Sequence, residues 1–232
     1  MTASANKILS ALPSAEYEQI APMLRPVPLK LGETLYHPEE VIHHVYFVTE
    51  GVISLLATLE SGATVEAGVI GPEGMLGIPV ILGVASTPNL ALVQSKGSAM
   101  RMSAPDIIKE FRKGGMLRDL LLRFTQMLFT QVAQTAACNR LHTVDQRLAR
   151  WLLMTHDRVH GDSFVLTQDF LSRMLGVRRA GVSVAASMLK QHGLIDYERG
   201  TVTIVDREGL EKFACECYRL VTEEYQRPIT SQ

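Results

Sequence analysis

The pattern of hydrophobic and polar positions divides the chain into a strand-rich first half and a helix-rich second half. Between residues 27 and 103, short alternating runs such as Val45-Tyr-Phe-Val48 and Leu90-Ala-Leu-Val93 are separated by glycine and proline. Many short strands of this kind are typical of an antiparallel sandwich or barrel. Apolar positions at helical spacing predict a short helix that begins at Pro105 and further helices over 6–24, 116–138, 143–158 and 206–225.

The segment 167–195 has the pattern of two short helices joined by a tight turn. Thr167 supplies a hydroxyl N-cap for the first helix, and Gly176 ends it, because glycine adopts the left-handed conformation without steric cost. The second helix is opened by Arg178 and Arg179 and is apolar on one face. This pattern predicts a helix-turn-helix, whose second helix enters the major groove of DNA by its N-terminal end. An ordinary αα-hairpin without a nucleic-acid role is the alternative.

A predicted β-hairpin follows directly, because residues 195–205 alternate on both sides of Arg199-Gly200. A helix-turn-helix followed at once by a hairpin is a winged helix.

Charge is distributed unevenly along the chain. Residues 1–110 hold 6 Lys/Arg and 11 Asp/Glu, whereas residues 111–232 hold 17 Lys/Arg and 13 Asp/Glu. The basic excess therefore lies in the half of the chain where phosphate contacts would need it.

The longest predicted helix has a heptad stripe, with spacings of four and three residues. Such a stripe predicts a two-stranded seam and hence a homodimer, and a helix packed on its own domain is the alternative. The predicted seam residues are Leu117, Leu121, Phe124, Leu128, Gln131 and Thr135.

Composition narrows the class of protein. A length of 232 residues, 47% hydrophobic and 20% charged, fits one large or two ordinary globular domains. The N-terminus lacks a signal-peptide pattern and no apolar run could span a bilayer, so we expect no membrane partner. Three cysteines argue against a disulfide framework and indicate the reducing cytoplasm. No catalytic fingerprint is present in the sequence, which predicts that the protein is not an enzyme.

In their order, these elements resemble the Crp/Fnr family of bacterial transcription regulators. The resemblance covers about residues 6–213, and its most specific motifs are Gly32-Glu33, the block 45–55 and the segment 166–179. It implies an α+β fold: an N-terminal double-stranded β-roll (a cyclic-nucleotide-binding-like jelly roll), a long dimerisation helix and a C-terminal winged helix-turn-helix. The implied domains are a sensor domain over 1–115, the dimerisation helix over 116–142 and the DNA-binding domain over 143–232.

The resemblance carries over to the recognition helix only in part. In that family the helix has an Arg-Glu pair near its start and a second Arg one turn later. Arg179 matches the first Arg, whereas Ala180 and Val184 stand at the other two positions. Arg179 is expected to contact guanine and Arg178 phosphate, on an operator that differs from that of the cAMP receptor protein. The predicted DNA-binding residues are Thr167, Arg178, Arg179, Ala180, Ser183, Ser187 and Arg199.

The sensor domain departs further from the family members that bind cAMP. In those members a Glu accepts from the ribose hydroxyl and an Arg pairs with the cyclic phosphate. Ile78 stands at the Glu position, and Pro88 or Asn89 at the Arg position, so cAMP is not expected to bind in the usual way. Two alternatives remain open: the pocket binds a different effector, or it binds no ligand and its residues only pack against one another. The candidate pocket residues are Gly71, Gly77, Ile78, Thr87, Asn89, Gln131 and Thr135.

Cysteine positions bear on metal and redox sensing. An iron–sulfur cluster of the Fnr type needs four thiolates, mostly near the N-terminus, and no cysteine precedes Cys138. Cys138 and His142 share a helix face and could begin a zinc site, which Cys215 and Cys217 could complete. Because residues two apart on one helix point in different directions, ordinary packing is favoured and no metal ligand is assigned.

The predicted function is a sequence-specific transcription regulator that binds a palindromic DNA operator as a homodimer. Its control is expected to come from an effector other than conventionally bound cAMP. Two alternatives remain: a nucleotide-binding regulatory module that controls a protein partner, and a thiol- or metal-responsive regulator. The resemblance also implies that the loop 155–161 could contact RNA polymerase.

Overall fold

The computed structural model describes residues 5–227, and residue contacts divide them into two compact units. The first unit contains residues 5–57 and 68–129, and the second contains residues 58–67 and 130–227. The outer ends of the predicted domains, 1–4 and 228–232, lie outside the described residues, as does most of the N-terminal stretch considered for a signal peptide. The predicted boundaries at 115 and 142 fall at the two ends of one helix, Met116–Leu141.

The first unit is built on an antiparallel sheet. Its strands pair in the order β1-β6-β3-β4, with β2 added to β6 and β5 added to β3. The alternating runs of the sequence form these strands, and they bury Val45, Phe47 and Val93 completely. The strands are β1 (Arg25–Leu29), β2 (Thr34–Tyr36), β3 (His44–Thr58), β4 (Thr64–Ile70), β5 (Met75–Leu76) and β6 (Leu90–Ser103).

Helices flank this sheet. The predicted helix over 6–24 is interrupted at Pro13, because a residue that precedes proline is disfavoured in the helical conformation. The observed helices are α1 (Lys7–Ser10), α2 (Ser14–Ile20), a 3-10 turn (Ala21–Met23), α3 (Ile78–Ile81), α4 (Ala104–Lys113) and α5 (Met116–Leu141).

The start of α5 is fixed to the first unit by polar and apolar contacts. The Glu16 carboxylate accepts hydrogen bonds from the backbone N–H groups of Met116 and Leu117, both at 3.1 Å. These groups are unsatisfied in any helix, so a carboxylate there stabilises the N-terminus. The Phe124 ring packs against Gly74 so closely that a Cβ at Gly74 would lie 2.2 Å from it.

The second unit contains the winged helix. Its core is formed by apolar positions of α6 and α8, including Leu148, Leu152, Val182 and Leu189. The predicted helix over 206–225 is in fact two helices, because Ala214 is extended and interrupts the helix (φ −63°, ψ 155°). The elements are α6 (Val144–His156), β7 (Ser163–Val165), α7 (Gln168–Leu175), α8 (Arg179–Gln191), β8 (Ile195–Glu198), β9 (Thr201–Ile204), α9 (Arg207–Phe213) and α10 (Cys217–Gln226).

Candidate nucleic-acid interface, sensor segment and thiol cluster

Local capping sets the turn between α7 and α8. Thr167 is the N-cap of α7, and its Oγ1 accepts from the backbone N–H of Phe170 at 3.1 Å. Gly176 ends α7 in the left-handed conformation (φ 62°). Arg178 is the N-cap of α8 and makes no side-chain capping bond. The exposed start of α8 therefore presents Arg178, Arg179 and backbone N–H groups to solvent.

A small polar network holds the Arg179 side chain. Its Nε donates to Oε1 of Gln168 at 3.3 Å, and Nε2 of Gln168 donates to Oγ of Ser183 at 3.4 Å. Because Nε is engaged by Gln168, the two terminal amino groups of the guanidinium are the donors left for a ligand. Gln168 is not among the residues predicted from the sequence, because its role depends on a contact between two helices.

The wing and the helix-turn-helix together form a concave surface, which we call the recognition groove. The wing is a hairpin that turns at Arg199-Gly200, where both residues have positive φ (50° and 80°), as a type I′ turn requires. Tyr197 on β8 donates its hydroxyl to the Leu166 carbonyl at 3.0 Å, and burial raises its pKa, with Arg179 acting in the opposite direction. The recognition groove is lined by Thr167, Gln168, Arg179, Tyr197, Arg199 and Gly200.

The remaining predicted DNA-binding residues lie on the outer side of α8. Ala180 and Ser187 are exposed and Ser183 is half-buried. Val184, where the family has its second Arg, is 65% exposed. An apolar side chain on this face can contact a thymine methyl but cannot donate to a base edge.

We call residues 71–90 the sensor segment. It is apolar where the cyclic-nucleotide cassette would be charged. Ile78 begins α3 and is buried, after Gly77 at φ 111°. A Cβ at Gly77 would lie 2.6 Å from Val45 and 2.9 Å from the Tyr36 hydroxyl, so glycine is required there. The Thr87 hydroxyl accepts from the Asn89 backbone N–H at 3.2 Å, which places both residues in one local turn. Gly71 is buried, and its N–H donates to the Glu73 carboxylate at 3.1 Å.

The α5 residues of the predicted seam pack within their own chain. Leu117, Leu121, Phe124 and Gln131 are buried and Leu128 is half-buried. The two polar positions of the predicted seam make hydrogen bonds: Gln131 Nε2 donates to the Tyr225 hydroxyl at 2.7 Å, and Thr135 Oγ1 accepts from Arg150 at 2.9 Å. The apolar residues that α5 leaves exposed include Leu122, Phe129 and Val132, each of which directly follows a residue of the predicted seam.

Four potential metal-ligating residues meet in the second unit, and we call them the thiol–imidazole cluster. Their ligand atoms all lie within 4.8 Å of one another. Cys138 Sγ is 3.4 Å from Cys215 Sγ, and Cys217 Sγ is 3.7 Å from His142 Nδ1. The expectation that one thiol of the Cys-x-Cys pair would point away was wrong, because Cys215 precedes α10 rather than lying on it. The cluster consists of Cys138, His142, Cys215 and Cys217.

Contacts within the cluster also shift the pKa values of its own thiols. The pKa of Cys138 is lowered, mainly because the Cys215 thiol donates to its sulfur, with Arg150 nearby also favouring the thiolate. The same shared proton, together with burial, raises the pKa of Cys215.

Sequence families match both halves of the chain. The cyclic nucleotide-binding domain family matches residues 26–114, and the Crp-like helix-turn-helix domain family matches residues 146–213. The chain belongs to the Crp/Fnr family of transcription regulators. Its α7–α8 pair is therefore the DNA-binding helix-turn-helix of a regulator, and its strand-rich part is a domain of the effector-binding type. This confirms the family and the fold class expected from the sequence.

Solved structures of Crp/Fnr proteins share this fold. A protein assigned to the family from Eubacterium rectale aligns with a TM-score of 0.71 and 15% identity, over 90% of this chain and 98% of that chain. FixK2 from Bradyrhizobium japonicum aligns with a TM-score of 0.70 and 18% identity, over 83% of this chain and 98% of that chain. The c-di-GMP-responsive regulator CLP of Xanthomonas campestris aligns with a TM-score of 0.64 and 15% identity, over 83% of this chain and 99% of that chain. A comparison with curated protein sequences found no match.

Among residues 5–227, no helix combines the length and the apolar character that crossing a bilayer requires.

Proposed function

We propose that this Crp/Fnr regulator binds a palindromic DNA operator as a homodimer and responds to an effector other than conventionally bound cAMP. The recognition groove is the observation that supports DNA recognition most strongly. It combines an exposed helix N-terminus with two arginines, Arg179 from α8 and Arg199 from the wing. Helix N-termini and arginines are the groups that contact phosphates and guanine edges.

Each arginine has a distinct proposed role. Gln168 holds Nε of Arg179, which leaves the terminal nitrogens to donate to O6 and N7 of one guanine. Phosphate contacts are assigned in this proposal to Arg178, at the cap of α8, and to Arg199, at the wing turn. RNA polymerase as a further partner stays a hypothesis based on family analogy alone.

The homodimer is proposed to form along the exposed stripe of α5 rather than along the seam predicted from the sequence. Leu122, Phe129 and Ala136 repeat every seven residues, as Thr125 and Val132 do. Phe129 is 69% exposed in the single chain. A partner helix that covers this stripe would bury it in a heptad seam, and two recognition helices would then contact half-sites one DNA turn apart, at about 34–36 Å.

The proposal about the effector rests on the sensor segment. A cyclic phosphate bound there would face the buried Ile78 side chain and the amide of Asn89 instead of a carboxylate and a guanidinium. An unpaired charged group costs about 1–3 kcal/mol or more in a buried site. We therefore infer a ligand of different chemistry, or control that does not use this segment.

Selection of duplexes from a random pool by the full chain tests the proposed function. We expect enrichment of a two-fold symmetric sequence, and affinity that falls steeply with salt because phosphate contacts release counterions. Failure to enrich any sequence, together with salt-independent retention, would instead favour the module that controls a protein partner.

A further inference from the structure

The thiol–imidazole cluster has the composition and spacing of a metal site. An ideal tetrahedral zinc site, with Zn–S near 2.3 Å and Zn–N near 2.0–2.1 Å, separates two sulfurs by about 3.8 Å and a sulfur from a nitrogen by about 3.6 Å. The separations of 3.4 Å between the Cys138 and Cys215 sulfurs and 3.7 Å between the Cys217 sulfur and His142 Nδ1 are close to these two values. We propose that the cluster is a structural zinc site with the ligands Cys138, His142, Cys215 and Cys217.

The local backbone explains how four ligands converge. Cys138 and His142 are four residues apart, and the His142 N–H still donates to the Cys138 carbonyl at 3.1 Å, so both side chains lie on one face. On the other side, the chain is extended at Ala214 and turns into α10 only after Cys215. The Cys215 and Cys217 thiols can therefore face the end of α5 together.

The histidine is oriented as a ligand by a second contact. Its Nδ1 faces the Cys217 sulfur at 3.7 Å, while Nε2 lies 3.2 Å from a carboxylate oxygen of Glu216. Histidines that bind metals commonly donate their other ring N–H to a carboxylate, which fixes the tautomer and leaves the first nitrogen free to coordinate. Glu216 lies between the two cysteines in sequence, so one short segment supplies two ligands and this orienting group.

Two buried arginines supply the charge that such a site needs. Zn²⁺ with three thiolates carries a net charge of −1, which is costly in a buried place unless it is balanced. Arg147 and Arg150 are buried, and both interact electrostatically with Cys138. Within residues 5–227 neither guanidinium pairs with a carboxylate, and the Nε atom of each is buried without a hydrogen-bond partner.

A filled site would join three segments of the second unit: the end of α5, the turn after α9 and the start of α10. Cys138, Cys215 and Cys217 are buried and His142 is half-buried, so the metal would be closed to solvent and play a structural role.

Metal analysis of the full-length, tag-free protein, purified under reducing conditions, tests the proposal. We expect about one Zn²⁺ per chain. Replacement by Co²⁺ should give the intense visible bands of a tetrahedral site and a thiolate charge-transfer band. The variants Cys217→Ser and His142→Gln should lose most of the bound metal, whereas the control His160→Gln, an exposed histidine outside the cluster, should keep it.

Because a buried Cys→Ser change can unfold a protein, the wild-type chain is also stripped with a chelator and refilled. A thermal midpoint that falls on stripping and returns with Zn²⁺, but not with Mg²⁺, supports the site. Three outcomes overturn it: no binding at excess Zn²⁺, binding that is unchanged in both cluster variants, or a Cys138–Cys215 disulfide in the metal-free protein that fully restores the midpoint without zinc.

Discussion

The recognition groove and the sensor segment differ in where their charges are. In the groove, Arg179 and Arg199 are exposed, and Gln168 orients one of them before any ligand arrives. In the sensor segment, the position of the family's carboxylate is filled by Ile78, which is buried. One surface thus offers positive charge to a polyanion, and the other lacks the groups that would bind a cyclic phosphate.

The largest expected effect is a loss of DNA binding by the recognition groove, and it comes from breaking the proposed dimer. The sensor segment is left unchanged. Phe129→Arg places a charge on the exposed stripe of α5, so a dimer formed there should dissociate. Because two recognition grooves are proposed to bind one operator together, DNA affinity should then fall by about 100-fold or more. Analytical ultracentrifugation and fluorescence anisotropy measure the two changes.

Leu31→Arg is the control, because Leu31 is also apolar and well exposed (59%) but lies outside α5. A Phe129→Arg protein that remains dimeric and binds the operator normally would exclude the exposed stripe as the seam.

A second change tests the turn that shapes the groove. Gly176 has φ 62°, and a Cβ there would lie 3.0 Å from Val65. Gly176→Ala should lower the free energy of unfolding by about 1–2 kcal/mol, measured by urea denaturation. Gly181→Ala is the matched control, because Gly181 lies inside α8 with no atom within 4 Å of an added Cβ. It should raise the same quantity by up to about 1 kcal/mol, and equal effects of the two variants would contradict this account of the turn.

These elements show what a sequence can and cannot predict. The α7–α8 turn was predictable because Thr167 and Gly176 act on neighbouring backbone groups. The surface of α5 that meets a partner is harder to predict, since a heptad pattern does not distinguish a stripe that packs on the chain itself from a stripe left for a partner. The four residues of the thiol–imidazole cluster were weighed together in the sequence, but ordinary packing was favoured. The extended Ala214, which lets Cys215 turn inward, has no strong sequence signal. Gln168 was missed for a similar reason, as its partners Arg179 and Ser183 are on another helix.

A smaller effect is expected when the support for Arg179 is removed. Gln168→Ala deletes one long hydrogen bond to an exposed guanidinium, so operator affinity should fall by about 0.5–1 kcal/mol. Quantitative gel shifts at fixed salt can resolve this difference. The control is Gln19→Ala, which removes an exposed glutamine of α2 that lies outside the recognition groove. A loss in the control as large as that in Gln168→Ala would show that the loss does not come from the positioning of Arg179.

The smallest effect on operator affinity is expected from the addition of cAMP. Isothermal titration of the full chain should give no binding heat with cAMP, and cAMP should leave operator affinity unchanged, because the sensor segment offers no guanidinium to the cyclic phosphate. A micromolar affinity would show that another part of the molecule supplies the missing charge, and it would remove the contrast between the two regions.

The most direct test of DNA recognition by the groove is a double-mutant cycle between Arg179 and the operator. Wild-type and Arg179→Ala proteins are titrated against the selected operator and against versions in which one symmetric guanine pair is replaced. We predict that replacing the contacted guanine costs the wild-type protein about 1–3 kcal/mol and costs Arg179→Ala almost nothing. If every base replacement costs both proteins the same, Arg179 does not contact a base and the proposed recognition mechanism is wrong.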